Sequence, residues 1–240
     1  MTDARIHRDI PRPDPALIEC LRGIPVADLH DEMSALEQRV RLMAPAMRPV
    51  APGRWFAGPA VTSFNPPGDN LMMHASLYFA RAGDVLVATN GGVAFGALWG
   101  GNATQQALRK GLAGAVVNGP VRDTATIREL GFPACATMVS VSHPTKEQAG
   151  TVNLPVTCAG VVVNPGDIVV GDDDGVVVIA PDDVPRIAAA ARARAGRDRA
   201  LQAAVAAGST IFEQMNGAAT LERLGLRVHD GAWRPAARSG

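Results

Sequence analysis

The pentapeptide Gly119-Pro120-Val121-Arg122-Asp123 follows the apolar run Ala115-Val116-Val117-Asn118 and precedes a helical pattern. The junction between a buried strand and a helix is where α/β proteins hold ligands. An arginine at such a junction offers a planar fork that grips a carboxylate through two parallel hydrogen bonds. The adjacent aspartate is a hard oxygen donor suited to a divalent cation. Together Arg122 and Asp123 read as a site for an α-keto acid held beside a metal ion. The plainer alternative is that Asp123 caps the helix it precedes and Arg122 makes a surface ion pair.

A second stretch, running from Gly91-Gly92 through Gly96 to Gly100-Gly101-Asn102-Ala103, ends where another helix begins. Glycines at a helix start let backbone N–H groups approach an anion closely, and the helix dipole favours the negative charge. Standing alone, such a stretch is more often a packing loop than a ligand cradle. No Gly-Lys-Ser/Thr follows and GxGxxG spacing is absent, so neither nucleotide fingerprint is present. Asn102 can donate from its amide but cannot act as a base. His74 and Asn70 lie on or just before a helical pattern and could line a pocket, while Met72 and Met73 read as core. His143 and Lys146 are further titratable candidates. The run Asp172-Asp173-Asp174-Gly175 reads as a β-turn, since no EF-hand continuation follows.

These residues need elements to position them. Apolar spacing from Pro15 to about Val40, broken at Gly23-Ile24-Pro25, predicts two short helices. Gly58–Phe64 and Val85–Thr89 have strand composition, with a helical pattern from Asn70 between them. A helix closed by Gly111, the strand Ala115–Asn118 and a helix from Asp123 to Leu130 closed by Gly131 continue the alternation. Further on, VVVNPGDIVVGDDDGVVVIAP places three short β-branched runs a few residues apart, a meander rather than crossover units. A long Ala- and Arg-rich helix is predicted from Asp182 to about Gly208, and one more short helix around Ile211–Leu224. The domain reading is an arm over 1–15 with little to bury that could dock on a neighbour, an α/β core over 16–181, and a helical extension over 182–240 serving as an oligomer contact.

Composition narrows the partners. The 23 basic and 23 acidic side chains cancel, so no whole-chain field favours nucleic acid or an anionic membrane. Aromatic residues are 4% of the chain, too few for a base-stacking platform. Three cysteines (Cys20, Cys135, Cys158) without a CxxC pair point away from a disulfide framework or structural zinc. With no apolar run long enough for a span and no leader-like start, the expectation is a cytoplasmic protein.

The two glycine- and arginine-bearing motifs, with Pro66-Pro67-Gly68-Asp69-Asn70 upstream and Cys158-Ala159-Gly160, Asn164-Pro165-Gly166-Asp167 and Asp172-Asp173-Asp174-Gly175-Val176-Val177-Val178 downstream, recur in order in one family. From about Val26 to Arg199 the chain resembles the class II 4-hydroxy-4-methyl-2-oxoglutarate / 4-carboxy-4-hydroxy-2-oxoadipate aldolases and the related regulator of ribonuclease E activity, RraA. The resemblance implies a swivelling β/β/α-type sandwich core with N-terminal helices and a C-terminal helical extension, assembled as homotrimers or homohexamers with sites at subunit interfaces. It implies that Arg122 grips the carboxylate of pyruvate, that Asp123 anchors Mg²⁺ or Mn²⁺, and that Gly100–Ala103 cradle a small α-keto acid. The implied reaction is retro-aldol cleavage of a 4-hydroxy-2-oxo di- or tricarboxylate to pyruvate through a metal-bound enolate, with oxaloacetate decarboxylation open to the same chemistry. A non-enzymatic RraA-like regulator, a keto-acid isomerase or hydratase, or another lyase are the alternatives. The sequence departs from the aldolases at Gly101, where they carry an acidic residue that serves proton transfer. A second family acid, on the C-terminal helix, falls in Ala195-Gly196-Arg197-Asp198-Arg199, where Asp198 is the nearest substitute.

Overall fold

The computed structural model describes residues 5–35 and 41–233. The expected helix over 36–40, the first four residues of the arm and the last seven of the extension lie outside the described residues. Two short helices, α1 (Pro15–Glu19) and α2 (Val26–Ala35), precede β1 (Arg48–Pro49). Strand and helix then alternate: β2 (Phe56–Phe64), α3 (Leu71–Phe79), β3 (Val85–Thr89), α4 (Gly101–Lys110), β4 (Gly114–Val121), α5 (Thr124–Leu130) and β5 (Ala134–Val139). Five short strands follow: β6 (Thr151–Val152), β7 (Val156–Cys158), β8 (Val161–Val163), β9 (Ile168–Gly171) and β10 (Val176–Ile179). A 3₁₀ turn at Pro181–Asp183 leads into α6 (Val184–Ala206), then α7 (Ile211–Gln214) and α8 (Gly217–Arg223).

The main sheet has the order β1-β5-β4-β3-β2-β9-β10, with β6 beside the end of β2. Strands β2 to β5 run parallel, as they must when each is joined to the next by a crossover helix. Both sheet faces are covered, and the strand alternation divides them. Leu86, Ala88, Ala115 and Val117 meet Met73 and Leu77 of α3, Ala107 of α4 and Ile127 of α5 in one core. Val85, Val87 and Val116 point the other way, onto Val156, Cys158, Val161 and Val163 of the β7–β8 hairpin. The layers are hairpin, sheet and helices, the β/β/α sandwich expected. A third core joins Leu29 and Met33 of α2 and Ile187 and Ala191 of α6 to Ile168, Val170, Val177 and Ile179.

Several local expectations change. The three β-branched runs are not one meander: β9 and β10 form a hairpin, but β8 leaves the sheet to pair with β7. Strand β4 does not stop at Asn118. It continues through Gly119-Pro120 to Val121, with a register shift against β5 between Val117 and Pro120. Proline is tolerated there because an irregularity in the ladder asks no N–H of it. The arm, expected to have little to bury, packs on its own chain. His7 N–H donates to Val152 O at 3.0 Å, Ile10 is buried, and Arg12 spans the buried Asp84 with bonds of 3.3 and 2.9 Å. The short helix expected near Ile211–Leu224 is two helices, parted at Asn216, whose φ of 53° is outside the helical range.

Two compact units divide after Arg192. The first holds the three cores. The second contains α7, opened by a Thr210–Glu213 capping box, and α8. No helix among the described residues is long and apolar enough to cross a membrane.

Phe56 shows how closely the sheet is filled. Its ring lies over two glycines, so that a Cβ on Gly114 would fall 2.7 Å from the ring and one on Gly171 would overlap it. Gly171→Ala should therefore lower unfolding free energy by about 1–3 kcal/mol, while Gly175→Ala, whose added carbon meets only Leu42 at 4.0 Å, should stay within about 0.5 kcal/mol of the parent. Urea unfolding of the three proteins measures this, and equal stability would contradict the packing.

Candidate functional site

The site lies at the carboxyl ends of the parallel strands. Residues 97–99 run alongside the end of β4: Leu98 N–H donates to Pro120 O at 2.8 Å and Arg122 N–H to Trp99 O at 3.0 Å. Trp99 anchors this segment. Its indole is buried, stacks on Phe132 with ring centres 5.9 Å apart, and donates to Thr104 Oγ1 at 2.8 Å. The anchored segment delivers Gly100 and the start of α4 directly onto Arg122 and Asp123.

Asp123 is left-handed, with φ of 57°, a conformation a short polar side chain tolerates better than most. The turn points its carboxylate away from α5. It does not cap the helix it precedes; Oδ2 instead accepts from Gly101 N–H at 3.0 Å, the first turn of α4. The plainer reading of Asp123 as the cap of its own helix is thus corrected: the strand end aims it across to the neighbouring helix. Arg122 Nε stands 3.7 Å from the same Oδ2, with both side chains over a third exposed, so this ion pair is loose and leaves the guanidinium available. No hydrogen bond engages Asp123 Oδ1 among the described residues. Gly100 is extended, not strained. It is glycine because a Cβ would sit 2.8 Å from Asp123 Oδ2 and 3.2 Å from Arg122 Cγ. At Gly101 a Cβ would meet Thr126 Cγ2 at 3.2 Å.

Arg122, Asp123 and Gly100 line a pocket of about 160 Å³ together with Asn70, His74, Asn102, Ala103 and Lys146. Of the residues named from sequence as a site, Arg122, Asp123, Gly100, Asn102 and Ala103 line this pocket, while Gly101 does not line it and joins it only through its N–H bond to Asp123. Asn102 and Ala103 are in the first turn of α4, where backbone N–H groups have no intrahelical acceptor. Lys146 arrives on the loop after β5. That loop is held by Asp69, which accepts from Glu147 N–H at 2.6 Å, Gln148 N–H at 3.1 Å, Thr145 Oγ1 at 2.8 Å and Leu71 N–H at 2.8 Å. Burial alone would raise the Asp69 pKa, but these bonds outweigh it and hold the carboxyl below its ordinary value. The His74 imidazole is pushed below its ordinary value, by burial first and then by the Lys146 ammonium. The spacing of Asn70 and His74, four apart on one helix face, was the sequence signal for their convergence.

Other candidates fall outside. His143 is exposed and does not line the pocket. Asp198 stands 3.6 Å from Arg194 on α6, in the second unit. The aspartate triplet is structural: Asp172 accepts from Val26 N–H at 2.8 Å and Asp173 from Gly53 N–H at 2.8 Å. All three cysteines are free, and burial pushes the Cys135 and Cys158 thiols up to about 12. Among the described residues no three His, Cys, Asp or Glu side chains converge as a metal cage.

The β/β/α sandwich sets an arginine and an aspartate at a strand end, against a glycine-lined helix start. Residues 26–178 match the RraA-like family model, described as Aldolase/RraA, and the chain belongs to that family. A Halalkalibacterium halodurans protein provisionally named 4-hydroxy-4-methyl-2-oxoglutarate aldolase is 31% identical over 184 residues, 77% of this chain and 86% of its own. A Burkholderia multivorans protein with the same provisional name is 39% identical over 160 residues, 65% of this chain and 93% of its own. Streptomyces coelicolor RraAS2, described as an unusual member of the RNase ES inhibitor RraA family, is 31% identical with a TM-score of 0.72, covering 80% of this chain and 98% of its own. A Pseudomonas syringae protein of 24% identity and TM-score 0.74, covering 84% of this chain and 98% of its own, shares the fold.

Removing the Asp69 carboxylate should orphan three backbone N–H groups, so Asp69→Ala is expected to cost about 2–4 kcal/mol at pH 7. Because the folded pKa lies below the unfolded one, this stabilisation is complete above about pH 4 and is lost as pH falls through the folded value. Urea unfolding at pH 7 and at pH 3 tests it: the gap between parent and variant should narrow at pH 3, and a constant gap would contradict a charge-based role.

Proposed function

We propose that this protein is a divalent-cation-dependent carbon–carbon lyase that cleaves a 4-hydroxy-2-oxo di- or tricarboxylate to pyruvate, with oxaloacetate decarboxylation accessible at the same site. The observation that carries this reading is the juxtaposition of Arg122, Asp123 and the open first turn of α4 in one pocket. A pure interaction surface has no need of a carboxylate fork beside a hard oxygen donor.

The donor set fits Mg²⁺ or Mn²⁺ rather than a cage metal, because such ions are held by one or two carboxylates and keep water and substrate oxygens in the rest of their shell. Asp123 would hold the ion through its unengaged oxygen. When bound, the ion supplies Lewis-acid polarisation of the 2-keto oxygen. Arg122 binds the adjacent carboxylate by its fork and keeps fixed positive charge beside the oxygen on which the enolate's charge develops. The free N–H groups of Asn102 and Ala103 orient the substrate's remaining oxygens. Loss of CO₂ from oxaloacetate would leave the same pyruvate enolate, which is why one site serves both reactions.

The provisional aldolase names of the relatives support this reading. A regulatory role without catalysis is the second reading, favoured by Gly101 standing where the aldolases carry an acid and by the likeness to RraAS2. Exposed Phe95, Val139 and Val141 support assembly as a homotrimer or homohexamer, which analytical ultracentrifugation should report; a monomer at micromolar concentration would contradict it.

The protein incubated with Mg²⁺ and pyruvate in D₂O should exchange the pyruvate methyl protons, followed by NMR, and should decarboxylate oxaloacetate above the metal-only blank. Asp123→Ala should abolish both. Arg122→Ala should lower kcat/KM by about 10²–10³. No exchange and no decarboxylation by the parent protein would sink the lyase reading and leave the regulatory one standing.

A further inference from the structure

With glycine at 101, the first turn of α4 has no group able to take a proton, yet cleavage of a 4-hydroxy-2-oxo acid requires the hydroxyl proton to leave. A base must come from another wall of the pocket. Two features of α3 stand out there. Asn70, immediately before the helix, is buried at 6% exposure and lines the pocket, and its Oδ1 has no hydrogen-bond partner. The orientation of that amide is set by its other end, since Nδ2 donates to Ala97 O at 3.3 Å and a carbonyl there demands a donor. The result is a buried acceptor left open beside a ligand pocket. Unsatisfied acceptors of this kind are costly in an unliganded core, and a hydroxyl donor would satisfy this one. One helical turn on, His74 N–H donates to Asn70 O at 3.2 Å, so the two side chains share a face and a fixed spacing. His74 lines the same pocket.

We propose that Asn70 and His74 are the hydroxyl-handling half of this site: Asn70 Oδ1 accepts from the substrate's C4 hydroxyl, and the His74 imidazole is the general base that removes its proton. This inference rests on the lyase reading above and adds to it the requirement that the substrate carry a hydroxyl. The step balances with substrate, imidazole and solvent water. His74 takes the C4 hydroxyl proton, C4 becomes a carbonyl carbon, and the C3–C4 bond breaks with its electron pair passing to the pyruvate enolate. C3 of the enolate then takes a proton from solvent, as it must after decarboxylation too, and the imidazolium returns its proton to solvent, giving the pyruvate methyl group and a neutral imidazole. The charged groups that line the pocket with His74 are Lys146, Arg122 and Asp123. Burial of the ring, first, and the Lys146 ammonium favour the neutral imidazole that a base must be.

The test compares two reactions in one protein. Oxaloacetate decarboxylation needs the enolate-forming half of the site but no hydroxyl proton, whereas cleavage of 4-hydroxy-4-methyl-2-oxoglutarate needs both. In His74→Ala the ratio of cleavage kcat to decarboxylation kcat should fall by roughly 100-fold, and added imidazole should restore part of the lost cleavage. Asn70→Ala should raise KM for the hydroxylated substrate more than for oxaloacetate. His143→Ala, at an exposed position outside the pocket, is the control and should leave both reactions as in the parent. Equal loss of both reactions in His74→Ala with no imidazole rescue would overturn the assignment and mark His74 as structural. Parent protein that decarboxylates but does not cleave the hydroxylated substrate would overturn the hydroxyl site while sparing the lyase reading. Parent protein that does neither would overturn both.

Discussion

One hydrogen bond joins the two halves of the site: Gly101 N–H to Asp123 Oδ2 at 3.0 Å. It requires the end of β4 and the start of α4 to approach until a single Cβ at position 100 would collide with the carboxylate. That approach in turn requires Asp123 to leave the strand in a left-handed turn, and the segment before α4 to lie as an added parallel neighbour along β4. The buried stack of Trp99 on Phe132 holds the segment in place from the helix layer below. The site is therefore a product of how closely two crossover units pack, and its glycines are there because backbone must touch side chain.

The electrostatics follow from the same closeness. A chain with no net charge cannot draw an anion by its overall field, so attraction has to be local. Arg122 and Lys146 come from different loops and meet in one small pocket with a single acid, Asp123. The Lys146 loop stays put because the buried Asp69 carboxylate bonds three of its groups. Asp69 never touches the pocket, yet it decides where a cation stands. His74 lines the same pocket, where burial first and then the Lys146 ammonium hold its imidazole below the ordinary value.

In the proposed lyase, glycine at position 101 moves proton handling across the pocket to Asn70 and His74. The Gly101 N–H still orients Asp123, so binding geometry survives the loss of the side chain. The side chains to which proton handling is assigned there, Asn70 and His74, are an amide and an imidazole rather than carboxylates. They place no additional negative charge near an anionic ligand, and this distinguishes the pocket electrostatically from one built with a second carboxylate.

Much of the architecture was legible in the chain. Alternating apolar strands and glycine-closed helices predict the βαβ succession, because hydrophobic period and capping are local properties, and Gly111 and Gly131 close α4 and α5 as expected. The motif Gly-Pro-Val-Arg-Asp marks the strand end for the same reason. What the tertiary structure alone decided is which groups meet. Nothing local says that Asp123 caps α4 instead of α5, that β8 leaves the sheet for β7, that the arm closes on Asp84, or that Asn70 keeps an oxygen unpaired. Each depends on contacts between residues far apart in sequence, whose partners are chosen by packing. The sequence by itself determined the elements and the chemically capable residues; the three-dimensional packing decided their partners, because a hydrogen bond or an orphaned acceptor exists only where distant segments are brought to within a few ångströms.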